Sequence, residues 1–184
     1  MKKNILIVAV FLFTILGFSQ ETEFKFTKEG FTDFVITEVP NKIQTELYKK
    51  TLDWISMNYN NPKEVIKAQI ENDYIRIEGL KSSALCMKIL LSNMCDDAKY
   101  QIEIYFKDGK YKFDVISVKI YNATLGWIDA FFLTSTKPCY KENGEIKNTW
   151  KEYPLQSTSI FNNINNSLKD FLLSDKILSK KSDW

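Results

Sequence analysis

The chain contains no histidine in its 184 residues. That removes Ser-His and Cys-His dyads and every His-ligated metal site. What remains for chemistry is carboxylate pairs, Ser-Lys pairings and three cysteines. Glu103 and Asp114 fall opposite each other on the two arms of a hairpin read from Tyr100 to Tyr121. Such a pair can bind a cation or share a proton once burial shifts its pKa. The expected setting is instead a solvated outer face with Lys112 diagonal to Glu103, and opposed strand residues on an open face make no cleft for a glycosidase-like reaction. Cys86, Cys95 and Cys139 are too scattered for zinc spacing. Their number fits one disulfide and one free thiol in an oxidising compartment, with Cys86–Cys95 the favoured pair and the pairing itself left open. The expectation is therefore no enzymatic activity, no catalytic residue, no metal and no cofactor.

The elements that position these residues are organised around the central hairpin. Asp108-Gly109 between two alternating runs predicts a two-residue type I′ turn. Phe106 then faces Tyr111, Ile104 faces Phe113 and Ile102 faces Val115, all on one side. A three-residue loop would set Ile104 against Lys112 and send apolar groups to water. Beyond Val115 the alternation changes phase, which fits either a β-bulge near Ile116-Ser117 or a sheet covered on both faces at that end. Upstream, Phe31 to Val39 reads as a strand stopped by Pro40. Asn41 is the expected cap of a helix to about Tyr59, with Gln44 as capping-box partner. Ile43, Leu47, Tyr48, Leu52, Ile55 and Tyr59 form its apolar stripe, with Trp54 at the edge. Glu64 to Lys81 gives a second hairpin, whose turn at Asn72-Asp73 would pair Ile70 with Ile75, Ala68 with Ile77, Lys67 with Glu78 and Gln69 with Arg76.

Three other segments are less regular. Residues 82–97 fit an extended strand, a short helix or a packed loop. Residues 122–156 show no period but are rich in aromatics. We read them mainly as a cover over the sheet, with a small hairpin at Asn143-Gly144. The competing reading is a binding loop presenting Trp127, Phe131, Phe132 and Trp150, which with Tyr105 and Lys112 of the outer sheet face make the candidate binding surface. A last helix is expected over 158–173, starting from a Ser157/Thr158/Ser159 cap, with an Asn-rich outer face from Asn162 to Asn166. A charged tail follows from Asp175.

Lys2 and Lys3 precede an apolar run, Ile5 to Leu16, and then Gly17-Phe18-Ser19. This predicts a signal peptide over 1–19, cleaved after Ser19, and a single exported domain over 20–184, periplasmic or extracellular. The apolar run is shorter than the roughly 20 residues of a spanning helix. Of 25 basic residues, two lie in the signal, which leaves 23 against 23 acidic ones. A neutral, exported chain lacks the footprint of a nucleic-acid binder.

The stretches EGFTDFVITEVPNK, ELYKKTLDWI and YQIEIYFKDGKYKF resemble a domain of unknown function with TBP-like fold, common in secreted proteins of Bacteroidetes. The resemblance covers Lys28 to Tyr121 and, loosely, the last helix. The segments read above run in the order β-α-β4-α, an α+β domain, and the resemblance implies a curved antiparallel sheet with two helices on one face. It brings no activity and no functional residues. The function expected is thus a binding or interaction module of the envelope, whose partner is an envelope protein, a glycan or a small apolar ligand. A structural part of an envelope assembly is the alternative.

Overall fold

Period-two alternation and the Asp-Gly turn place a pair of long strands at the centre of the sheet. The computed structural model describes residues 22–90 and 92–174. Its elements are β1 (Phe34–Glu38), α1 (Gln44–Asn58), α2 (Pro62–Val65), β2 (Ile66–Ile70), β3 (Tyr74–Ile89), β4 (Ser92–Lys107), β5 (Lys110–Asn122), β6 (Gly126–Asp129) and α3 (Tyr153–Leu173). The expected signal at 1–19 and the tail from Asp175 lie outside the described residues. All six strands form one antiparallel sheet in the order β1-β5-β4-β3-β2. The short β6 joins the far end of the β5 edge that β1 occupies.

The β4–β5 register is the expected one: Phe106 with Tyr111, Ile104 with Phe113, Ile102 with Val115. Gln101 then pairs with Ser117, so Ile116 is an extra residue and Val118 returns to the core. The bulge thus accounts for the change of phase. The turn itself differs from expectation. Of its two central residues only Gly109 has positive φ, 76°, so it is not type I′. Keeping Asp108 out of the left-handed region avoids the cost a Cβ residue meets there.

Asp108 has a second task. Its Oδ1 accepts the Gln44 N–H at 2.8 Å, and Gly109 N–H donates to Lys42 O at 2.8 Å. The hairpin turn therefore caps α1, and Asn41 does not. Asn41 sits at φ 64° outside the helix, whose N-cap position is Ile43. Ile43 is accordingly exposed, while Trp54, expected at the stripe's edge, is buried and donates Nε1–H to Ser167 at 3.1 Å.

In the β2–β3 hairpin the register is shifted by one from that expected. Ile70 pairs with Tyr74, Gln69 with Ile75 and Ala68 with Arg76, and an irregularity between Ile66 and Ala68 lets Ile66 meet Ile77. The loop holds three residues, with Asn72 at φ 65°, a conformation Asn tolerates better than most residues. Lys67 and Glu78 still form an ion pair at 3.3 Å.

Residues 82–89 and 92–97 are strand: β3 and β4 run on as a ribbon in which Cys86 faces Cys95, and the two are disulfide-bonded. Cys139 is free and buried, and burial pushes its thiol up to about 11. Residues 122–156 hold β6 and three 3-10 turns, and include the small hairpin, with Tyr140 bridged to Ile146. α3 begins at Tyr153, earlier than expected. Pro154 lies in its first turn, and Ser157 is buried with its hydroxyl bonded to Tyr153 O.

Both long helices cover one face of the sheet. Tyr48 of α1 meets Phe106 edge-on, Tyr111 reaches Asn165 of α3, and Lys50 donates to Leu172 O and Ser174 O at the α3 end. Phe161, Asn165, Leu168 and Leu172 make the buried stripe of α3. The Asn-rich segment is therefore an outer face only in part: Asn163 and Asn166 are exposed, as expected, but Asn162 and Asn165 are not. Asn165 is buried, and Asn162 brackets Phe24, accepting its N–H and donating to its carbonyl.

Candidate binding face

β-strand alternation that sends Ile75, Ile77, Ile102, Ile104, Phe113 and Val115 under the helices sends their neighbours to the opposite face. There Glu103 of β4 lies between Arg76 of β3 and Asp114 of β5, and Tyr105 lies between Tyr74 and Lys112. Phe34 of β1 adjoins Asp114, and Ile36 adjoins Lys112. Strand pairing alone thus assembles an acidic, aromatic and basic group on the face without helices.

Glu103 is not solvated, contrary to expectation: it retains 8 % of its surface. Tyr74 and Tyr105 hydroxyls donate to it at 2.8 and 2.6 Å, and Arg76 adds Nε and Nη2 bonds at 2.9 and 2.6 Å. Burial works to raise its pKa, but these four donors outweigh it and hold the carboxyl below its ordinary value. The same bond pushes the Tyr105 phenol up to about 12. Asp114 faces Glu103 across the ladder but is engaged elsewhere. It pairs with Lys112 at 2.7 Å, so Lys112 is bound to its own strand rather than diagonally to Glu103. The Lys112 ammonium stands 4.6 Å from the Tyr105 ring centre and 5.0 Å from that of Phe34. A cleft of about 350 Å³ opens beside it, lined by Ile36, Tyr105, Lys107, Lys110, Tyr111 and Lys112.

The structure brings Tyr105 and Lys112 together and separates them from the other candidates. Trp127 lies at the far end of the sheet, with Lys99 Nζ 4.6 Å from its ring centre, in a cleft of about 400 Å³ shared with Tyr59, Glu64 and Lys67. Phe132 is buried, a correction to its place on the candidate surface. It packs edge-on against Phe31 and Tyr153, with Phe26 tilted beside it. Phe131 and Trp150 are half-buried and pack on each other at 5.0 Å and on Tyr153. These rings close the end of the core, as a cover does, and do not form a presented surface. Sequence reading missed Tyr74 and Arg76 because it paired β2 with β3 one residue out and left the β3–β4 pairing undrawn. The signal was present: an alternating Tyr-Ile-Arg-Ile strand whose polar members match Tyr105 and Glu103.

The fold is that of an α+β domain, an open antiparallel sheet with helices on one side. Residues 34–121 match the sequence profile described as domain of unknown function (DUF4468) with TBP-like fold. Two crystal structures share the architecture. A DUF4468 family protein from Bacteroides ovatus superimposes with TM-score 0.63 at 12% identity, covering 79% of this chain and 87% of that one. A TBP-like protein from Parabacteroides distasonis gives 0.51 at 13% identity, covering 78% and 92%. Among curated proteins, none matches the sequence. Identities this low speak to fold alone.

Proposed function

We propose that the protein is an exported, non-catalytic binding module that works through the helix-free face of its sheet. The observation that carries this reading is the Glu103 network. Four hydrogen bonds fix one carboxylate on a face that, among the described residues, no helix covers, and they immobilise the Tyr105 ring at the wall of a cleft. Preorganised side chains around a concavity are what a binding site needs, because ordering them on binding would cost affinity. The non-catalytic part rests on the same network. A carboxylate held ionised by its donors is a poor proton shuttle near neutral pH. Export is supported by the basic-then-apolar N-terminal sequence and by the Cys86–Cys95 disulfide, a bond that persists in oxidising compartments. A structural role in an envelope assembly is favoured by one feature, the exposed Leu80, Ile89, Leu90 and Met94 of the β3–β4 ribbon.

Native mass spectrometry of protein recovered from the periplasm, wild type beside Lys112→Gln, tests the reading. A retained small molecule or partner chain that is weakened by the substitution is the expected result. Bare wild-type chain together with unchanged pull-down partners in the variant would overturn it.

A further inference from the structure

Lys107 and Lys110 pair directly across the ladder at the end of the central hairpin. Like charges so placed are destabilising. Their acidic neighbours are occupied or distant. Asp114 binds Lys112, Asp108 is turned to the Gln44 N–H, and Glu103 is taken up by Arg76 and the two tyrosines. Glu38 pairs in register with Lys110 on the β1 side, but no ion pair joins them among the described residues. The same cleft has apolar walls in Ile36 and the Tyr105 ring, and about 350 Å³ suits a small ligand.

We propose that this cleft binds a small amphipathic anion, a carboxylate carried on an apolar body, with Lys107 and Lys110 meeting the charge and Ile36 and Tyr105 meeting the body. The proposal rests on the binding-module reading and names the ligand of that face. A bare inorganic anion would leave the apolar wall in water, and a neutral apolar molecule would leave two ammonium groups uncompensated as they lose solvent. The Tyr105 ring is already flanked by the tilted Tyr74 ring on one neighbouring strand and by the Lys112 ammonium on the other. The ligand body therefore meets the ring edge and Ile36, which suits an alkyl chain better than a stacked sugar. An extended polyanion finds too few cations here on a chain that is otherwise balanced in charge.

The test is an NMR titration of the labelled mature chain with octanoate, acetate and 1-octanol, repeated on Lys107→Gln/Lys110→Gln. Octanoate should shift the amides around Ile36, Tyr105 and Lys110, and should bind at least tenfold tighter than acetate or octanol. The double variant should lose at least tenfold in octanoate affinity while melting no lower than the wild type, since the substitution also removes a like-charge pair. Octanol binding as tightly as octanoate, unchanged affinity in the double variant, or shifts confined to the Trp127 end would each overturn the proposal. Silence with octanoate would also overturn it. If the mass spectrometry above still shows a ligand sensitive to Lys112→Gln, only the ligand class has failed. If both are silent, the binding-module reading falls with it.

Discussion

The two faces of one sheet each carry a polar cluster, and they satisfy it by opposite means. On the outer face Glu103 is charged, takes four donors, and sits beside open cleft and solvent. On the inner face Asn165 is neutral and enclosed by helix and sheet. It accepts from the Tyr111 hydroxyl at 2.8 Å and donates to Thr37 Oγ1 at 3.1 Å, and it joins α3 to β1 and β5. Burial pushes the Tyr111 phenol well above its ordinary value, whereas Tyr105 is raised chiefly by its bond to a carboxylate. The inner cluster thus reads as a locating device for the last helix. The outer one holds side chains ready on a surface, and only the outer one contains a charge that pH can remove.

Five experiments can break or sharpen that contrast. The largest effect is expected from Asn165→Leu, which strands the buried Thr37 hydroxyl where water cannot reach and leaves the Tyr111 hydroxyl only its bond to the backbone carbonyl of residue 165. We expect a loss of about 2–4 kcal/mol by denaturant unfolding. Glu103→Gln should cost less, about 1–3 kcal/mol, since it weakens charge-assisted bonds that solvent can partly replace. A cost at Glu103 equal to that at Asn165 would erase the distinction between open and closed clusters.

Acid titration separates the two more sharply. The Glu103 carboxyl has a folded pKa below its unfolded one, so its stabilisation is present above the unfolded value of about 4.3 and is lost as pH falls through the folded value. Wild type should therefore lose stability on acidification faster than Glu103→Gln, and Asn165→Leu should keep the wild-type slope. At the other end of the scale, Tyr105 contributes stability below about pH 10 that is lost as pH rises through its folded value of about 12. Phenolate absorbance should show one fewer tyrosine titrating near 12 in Tyr105→Phe. The smallest effect is expected from Lys112→Gln, whose half-exposed ion pair and ring contacts predict no more than about 1 kcal/mol of stability. A larger loss would make this lysine part of the outer network rather than its rim.

How far each cluster was legible in the sequence follows from what decides it. The central register could be read because turn chemistry and alternation agree over three residue pairs, and the Ile116 bulge showed as a phase change. Glu103 was misjudged because burial on an open face depends on which side chains the neighbouring strand supplies. That needed the β3–β4 pairing, which no turn signal fixed. Its tip at Leu90, in a left-handed conformation unusual for Leu, carries neither Gly nor Asn-Gly. Asn165 was visible in principle, four residues after Phe161 and three before Leu168 on the helical stripe. Polarity argued against its position, and only a partner such as Tyr111 makes an inward Asn affordable. The β2–β3 slip has a similar cause, since a third loop residue and a compensating irregularity conserve the apolar contacts of Ile66 and Ile77.

The cap that Asp108 places on α1 has a kinetic consequence. The residues are 64 apart in sequence, so the first turn of this helix cannot be completed by its own neighbourhood. A 15-residue helix is marginal when isolated. Its nucleation is thus tied to closure of the β4–β5 hairpin, and a misregistered hairpin would leave the helix start unprotected. Amide exchange at Gln44 should consequently slow only once the hairpin amides are themselves protected, making the two elements one folding unit despite the chain between them.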